Sequence, residues 1–229
     1  IWAENMKLRS KSLKITCDGG AATGKSTGAK LIAKKYKLAF LSSGLLYRYA
    51  SYLILKQKPK NIKNFLKIKF KNLKYKELSK YDLHTSEISS HSAKIAKNLG
   101  IRNILKKYQK TFIKRNKGCV LEGRDASTKI LPKSDIKFFF ICNLDTAAKR
   151  RYKDLNKKTK KVSLNDVKRA LLLRNRMDRS RRNSPLQKHA DAIVVNSAKF
   201  GTKASMVAKM SKHVEEFLLK KYGNRSRSK

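Results

Sequence analysis

Apolar and polar positions alternate over Leu13-Lys14-Ile15-Thr16-Cys17, which predicts a short strand. Within 24–36 the apolar residues Ala29, Leu31, Ile32 and Ala33 instead follow the spacing of a helix. These two periods take turns along most of the chain. Further strands are predicted at 38–41, 118–122, 137–141 and 192–195, and helices at 45–55, 85–99, 101–112, 145–155, 163–174 and 203–219. Strands that alternate with helices predict an α/β fold, a parallel sheet of about five strands with helices on both faces. Ligands of such sheets bind beyond the carboxyl ends of the strands, where Ser43, Arg124 and Asp125 are expected to emerge. Residues 56–80 break the pattern. They interleave lysines with Ile62, Phe65, Leu66, Ile68, Phe70 and Leu73 around one acid, Glu77, and read either as an amphipathic helical insertion or as a partly disordered arm.

Between the first strand and first helix stands Gly19-Gly20-Ala21-Ala22-Thr23-Gly24-Lys25-Ser26-Thr27, which fits the pattern G-x-x-x-x-G-K-[ST]. Small residues let backbone N–H groups curl around phosphate oxygens at a helix N-terminus. Lys25 then adds a cation near the β and γ phosphates, and the Ser26 hydroxyl is placed to ligate Mg²⁺. Strand, loop and helix in this order predict a site for a nucleoside triphosphate rather than a chance glycine-rich turn.

The chain of 229 residues carries a formal charge of +43, with Lys+Arg at 58 against Asp+Glu at 15. Lysine supplies most of the cations and is spread along the whole length, which predicts a generally basic surface with weak, non-specific RNA binding more than a dedicated nucleic-acid groove. The less frequent arginines, whose planar fork bonds two oxygens at once, are the better candidates for specific phosphate grips. Cys17, Cys119 and Cys142 lie in apolar runs without metal-ligand spacing and are read as buried thiols of a reducing cytoplasm. The longest apolar run, 138–142, is far too short to span a membrane, so no membrane partner is expected. Residues 1–5, ahead of Met6, are either extraneous to the natural start or native to it. The organisation expected is a basic extension at 1–12, one domain at 13–220 acting as a monomer, and a basic tail at 221–229. The domain carries an insert at about 58–84 and a lid at about 150–182.

Two clusters add chemistry. Glu122 closes a predicted core strand, where a carboxylate orders a Mg²⁺ shell through water or caps the following turn. Lys149-Arg150-Arg151 and the run 174–182, rich in arginine and containing Asp178, flank a polar loop at 156–162. Two arginine-bearing helices joined by such a loop form a lid that closes cations onto transferring phosphoryl groups and excludes water.

From Ile15 to about Met210 the chain resembles the bacterial cytidylate kinases. The matching segments are Asp18 through Thr27, Ser43-Gly44-Leu45-Leu46-Tyr47-Arg48, Gly123-Arg124-Asp125, Leu131-Pro132, Arg150-Arg151-Tyr152, the 174–181 cluster, Pro185-Leu186 and Ala190-Asp191-Ala192-Ile193-Val194. A P-loop alone fits many families, whereas the Ser-Gly-x-x-Tyr-Arg and Gly-Arg-Asp segments in this order are specific. The resemblance implies transfer of the γ-phosphoryl group of ATP to CMP or dCMP with Mg²⁺. By position it implies that Arg48, Arg124 and Arg181 hold the acceptor phosphate, and that Arg174 and Asp178 hold the ribose. Asp125 and Arg102 would read the cytosine, Ser43 and Tyr47 line the pocket, and Lys25, Arg124, Arg150 and Arg181 act on the transferring group.

Against the family pattern, Gly20 replaces a proline and Ala22 a glycine in the loop. Ala93 stands for a base-contacting serine, Glu122 and Asn175 stand for aspartates, and the insert between Phe70 and His84 is short. The competing expectation is a basic P-loop protein whose main role is binding nucleic acid. Convergence of Arg48, Arg124, Arg174 and Arg181 in one cleft facing Lys25 discriminates between the two.

Overall fold

The structure, a computed structural model, describes residues 8–156 and 162–223. Most of the polar loop at 156–162, the first seven residues of the chain and most of the basic tail lie outside the described residues. Five strands form one sheet: β1 (Lys14–Gly19), β2 (Ala39–Ser42), β3 (Cys119–Gly123), β4 (Ile136–Ile141) and β5 (Ile193–Asn196). Their order is β2-β3-β1-β4-β5 and every pairing is parallel, as the alternating pattern predicts. The chain crosses from β1 to strands on both of its sides, so β1 ends at the switch point where doubly wound sheets bind ligands.

Helices α1 (Lys25–Lys35) and α8 (Lys203–Tyr222) cover one face. They bury Ala29, Ile32, Met206, Met210, Val214 and Leu218 against Ile15, Val120, Phe138 and Phe140. The other face carries α2 (Ser43–Gln57), α3 (Ile62–Lys71), α4 (Ser86–Ile95) and α5 (Leu99–Arg115). Its core joins Leu46, Leu53, Leu66, Phe70, Leu105 and Leu121. The stretch 56–80 is therefore ordered: Asn61 caps α3 by accepting from the Asn64 N–H at 3.0 Å, and a 3₁₀ turn follows at Tyr75–Lys80. Leu66 and Phe70 face inward, and the lysines of α3 are exposed.

Helices α6 (Leu144–Asn156) and α7 (Leu164–Ser180) form the pair expected at the lid and bury Ala147, Ala148, Val167 and Leu171 between them. Several helices run beyond their predicted ends. The helix predicted at 163–174 continues to Ser180, because Arg174, Asp178 and Arg181 fall on successive turns of one internal face. The helix predicted at 85–99 ends at Ile95, and Asn98 starts α5 by accepting from the Ile101 N–H at 3.1 Å. Cysteine 142 also departs from expectation. Cys17 and Cys119 are buried, but Cys142 follows the end of β4, is partly exposed, and lies 3.7 Å from Arg150 Nη1.

Candidate active site

The P-loop leaves β1 after Asp18, a fully buried carboxylate. Burial raises its pKa, and three donors oppose that rise: the Ala126 N–H at 2.8 Å, the Ser127 N–H at 2.7 Å and the Ser127 hydroxyl at 2.6 Å. These bonds tie the strand before the phosphate loop to the turn that carries Arg124 and Asp125.

Gly24 precedes α1 with φ +82 and offers no side-chain cap, which leaves the first-turn N–H groups to a ligand. Ala22 also adopts a left-handed conformation, φ +57, at the position where the sequence puts alanine for glycine. That backbone costs an L-residue about 1–2 kcal/mol. Ala21 and Ala22 pack against the α6–α7 cluster, so the methyl group added at Ala22 buries surface there. Asn175 of α7 reaches into the loop and accepts from the Ala21 N–H at 2.9 Å. A side chain at Gly20 would approach its Oδ1 to 3.0 Å, so this glycine makes the close approach possible.

Lys25 is buried, 5% exposed, and donates to the Gly20 carbonyl at 3.0 Å. Its Nζ lies 3.4 Å from Glu122 Oε1. Desolvation, with Arg124 adding repulsion, lowers its pKa to about 8 against the pull of Glu122 and Asp178. The other Glu122 oxygen accepts from the Ser42 hydroxyl at 2.5 Å, and Ser42 caps α2. Ser26 is exposed at the start of α1. No group of three or more His, Cys, Asp or Glu among the described residues could hold a metal. A lone hydroxyl beside a phosphate loop nevertheless suits Mg²⁺, which keeps several waters and needs few protein ligands besides substrate phosphates.

The arginines converge. Asp178, 2% exposed, accepts from Arg124 Nε at 2.8 Å and Arg174 Nε at 3.3 Å, with Arg181 Nη1 at 3.5 Å from its second oxygen. Burial alone would raise the Asp178 pKa; the three guanidiniums outweigh it and hold the carboxyl below its usual range. Arg102 pairs with Asp125 and donates to the Ala96 carbonyl at 3.1 Å, while its guanidinium lies 5.6 Å from the centre of the Tyr47 ring.

Arg48 is different. It donates to the Leu83 carbonyl at 2.9 Å and the Ser89 hydroxyl at 3.1 Å, both neutral. Burial, then the charges of Arg174, Arg151 and Arg124, lower its pKa to about 9. Ser43 is buried at the head of α2, and a side chain at Gly123 would meet its Oγ at 2.5 Å. Arg150 donates to the Ser197 hydroxyl and carbonyl at 2.8 and 2.9 Å, and its Nη1 lies 3.6 Å from where a side chain on Gly24 would stand. Arg150 thus sits beside Gly24, at the end of the phosphate loop.

Four participants escaped sequence reasoning in these roles. Ser89 and Ser92 of α4 brace the arginines: Arg174 Nη1 donates to the Ser89 carbonyl at 2.8 Å and the Ser92 hydroxyl at 3.3 Å. Asn175 and Asp18 have their partners far away in sequence. Only Asp18 carried a signal, an acid at the end of an apolar strand that must be satisfied on burial.

Comparison with known proteins places this geometry. A family model for cytidylate kinase matches residues 15–216. The chain belongs to the cytidylate kinase family. Members of this family are ATP-dependent phosphotransferases, nucleoside monophosphate kinases. Among similar proteins, the cytidylate kinase of Bartonella tribocorum is 34% identical over 200 residues, covering 85% of this chain and 91% of that one. That of Thermosipho melanesiensis is 34% identical over 194 residues, 80% and 88% of the two chains. That of Rickettsia conorii is 32% identical over 190 residues, 83% and 86%. The crystal structure of an uncharacterized protein from Eubacterium ventriosum superposes with a TM-score of 0.50 at 16% identity, over 90% of this chain and 99% of that one, a likeness of fold alone. Family membership and the convergence of the arginines around Asp178 leave the alternative of a mainly nucleic-acid-binding protein without support.

Proposed function

We propose that the chain transfers the γ-phosphoryl group of ATP to CMP or dCMP. The observation that carries this reading is Arg48, a guanidinium held only by neutral acceptors and surrounded by Arg174, Arg151 and Arg124. The other arginines of the acceptor side already have carboxylates: Asp178 serves Arg124, Arg174 and Arg181, and Asp125 serves Arg102. The excess cation calls for an anion from outside, and the phosphate of a nucleoside monophosphate supplies it. Arg124 and Arg181 turn toward the same phosphate while Asp178 keeps them from repelling one another, and Asp178 and Arg174 meet the ribose.

The base end lies at Asp125 and Arg102 beside Tyr47. A carboxylate accepts from the cytosine amino group and is repelled by the carbonyl that uracil presents there. On the donor side the P-loop N–H groups and Lys25 take the β and γ phosphates. Arg150, held beside Gly24 by Ser197, adds a second cation for charge that spreads onto the transferring oxygens. Ser26 would hold Mg²⁺, with Glu122 reaching it through water, and the ion would neutralise the β and γ oxygens. Positioning and electrostatics of this kind are what phosphoryl transfer requires of a protein.

Arg48→Gln tests the assignment. A charge-assisted hydrogen bond is worth about 1.5–3 kcal/mol, so KM for CMP should rise about ten- to a hundredfold while KM for ATP stays within about twofold. An unchanged KM for CMP would remove Arg48 from the acceptor site.

A further inference from the structure

Outside the cleft, several cations of the helices are paired with acids. Lys168 pairs with Asp145 at 2.5 Å, Lys221 with Asp135 at 2.7 Å, Arg169 with Asp166 at 3.7 Å and Lys35 with Glu215 at 3.9 Å. The α3–α5 face differs. Neither Ile62–Lys71 nor Leu99–Arg115 contains an Asp or Glu, and among the described residues no ion pair engages a lysine of either helix; α1 and α2 lack acids too, but Lys25 and Lys35 of α1 pair with Glu122 and Glu215, and α2 carries a single lysine. The two helices are packed together: Phe70 meets Tyr108 edge-on with ring centres 5.8 Å apart, and the Tyr108 hydroxyl donates to the Leu73 carbonyl at 3.1 Å. Lys63, Lys67 and Lys71 recur every four residues along α3, and Lys107, Lys110 and Lys114 every three to four along α5, all exposed. The result is a pair of packed helices whose exposed charges are almost all lysine, interspersed with exposed aliphatic side chains.

Where the N-terminal ends of α3 and α5 approach one another, an open groove of about 370 Å³ is lined by Lys60, Asn61, Ile62, Lys63, Asn98 and Ile101. Beside it Leu99 is 55% exposed and Ile68, further along α3, is 59% exposed. Ammonium groups next to bare aliphatic side chains suit a ligand that alternates phosphates with flat, weakly polar rings. A single strand offers that alternation. A duplex hides its base faces in the stack, and its recognition depends on groove shape and phosphates.

We propose that the α3–α5 face binds single-stranded polynucleotide through its phosphate backbone, without reading sequence. Lysine, a hydrated point charge without the planar fork of arginine, suits contacts that track a backbone and do not fix a register. None of these lysines is among the residues assigned to the acceptor site, so the binding does not depend on the kinase reading.

The test uses the full chain and fluorescence anisotropy with a labelled 20-nucleotide oligo(U) from 50 to 300 mM salt. One variant is K63E/K67E/K71E/K110E. A control with the same change of charge, K34E/K203E/K209E/K212E, alters exposed lysines of α1 and α8 and the residue at the start of α8. The first variant should lose affinity at least tenfold at 100 mM salt, and the control less than threefold. The slope of log K against log salt should become shallower by about 3 in the first variant, since each phosphate contact on a single strand contributes about 0.7. Kinase turnover and melting temperature, measured on both, establish that each is folded, and a K63Q/K67Q/K71Q/K110Q variant should lose affinity in the same direction. Equal losses in the charge-reversed variant and its control would overturn the proposal in favour of undirected attraction by net charge. Tighter binding of a 20-base-pair duplex, or of vesicles containing phosphatidylserine, than of oligo(U) would overturn it as well.

Discussion

Asp178 is the shared counter-ion of three arginines, and replacing it by Asn isolates its charge. Asp178→Asn preserves the size of the side chain and removes the carboxylate that faces Arg124 at 2.8 Å, Arg174 at 3.3 Å and Arg181 at 3.5 Å. The side chain is almost wholly buried, so water cannot replace it, and Arg181 Nη2 already has no hydrogen-bond partner among the described residues. Breaking a buried ion pair by removing one partner costs about 3–5 kcal/mol. A cost of that size is a large part of the roughly 5–15 kcal/mol that stabilises an ordinary domain. At about 2–4 °C per kcal/mol for a chain of this length, the melting temperature should fall by about 6–20 °C at pH 7 without nucleotide.

The pH dependence has a defined sign. The folded Asp178 pKa lies below its unfolded value, so its contribution is complete above about pH 4 and is lost as pH falls through the folded value. The gap between parent and variant should therefore narrow in acid. Adding Arg124→Gln to the variant should recover part of the loss, because one uncompensated cation is then gone. Calorimetry and thermal unfolding followed by circular dichroism from pH 3 to 7 measure both effects. A variant melting within about 2 °C of the parent at pH 7, or a gap that does not narrow in acid, would refute the view of Asp178 as the shared counter-ion.

Lys25 with a pKa near 8 is about half deprotonated at pH 8 in the nucleotide-free protein, and a bound triphosphate should restore its proton. Titration calorimetry with a non-hydrolysable ATP analogue should show uptake of about half a proton at pH 8 and almost none at pH 6. The pH 8 uptake should vanish in Lys25→Met, and an uptake that survives that change would place the titrating group elsewhere. Turnover of Lys25→Ala should be lost while its fold persists, and near-normal turnover would remove Lys25 from the chemistry. Asp125→Asn turns an acceptor-only group into one that also donates, so activity with CMP should fall and the preference for CMP over UMP should narrow. An unchanged ratio would put base recognition away from Asp125.

Much of this molecule is legible in its sequence because local rules govern it. The alternation around Ile15, the small residues from Gly19 to Gly24 and the helical spacing after Lys25 each report a backbone requirement a few residues long. The arginines of the cleft are legible for a related reason, since so few cations other than lysine are present that each one stands out. Contacts spanning the chain are not legible in this way. Nothing near Asn175 points to the Ala21 N–H, which lies 154 residues earlier, and nothing near Ser89 points to Arg48 on another helix. Cys142 misleads because it continues an apolar run, yet the strand ends at Ile141, already 40% exposed. The burial of Lys25 was hidden as well, since a lysine in a glycine-rich loop reads as exposed until Glu122 and the Gly20 carbonyl are seen around its ammonium group.

Initial rates of ADP formation from ATP and Mg²⁺, with CMP, dCMP, UMP, AMP and GMP offered separately as acceptor, test the proposed function most directly. Recognition of the cytosine amino group by Asp125, with the acceptor phosphate on Arg48, Arg124 and Arg181, predicts efficient turnover with CMP or dCMP. It also predicts a kcat/KM for UMP at least a hundredfold lower, because a site that bonds a donor rejects an analogue presenting an acceptor there. Turnover with UMP equal to that with CMP, or no ADP formed above background with any of the five acceptors, would contradict it.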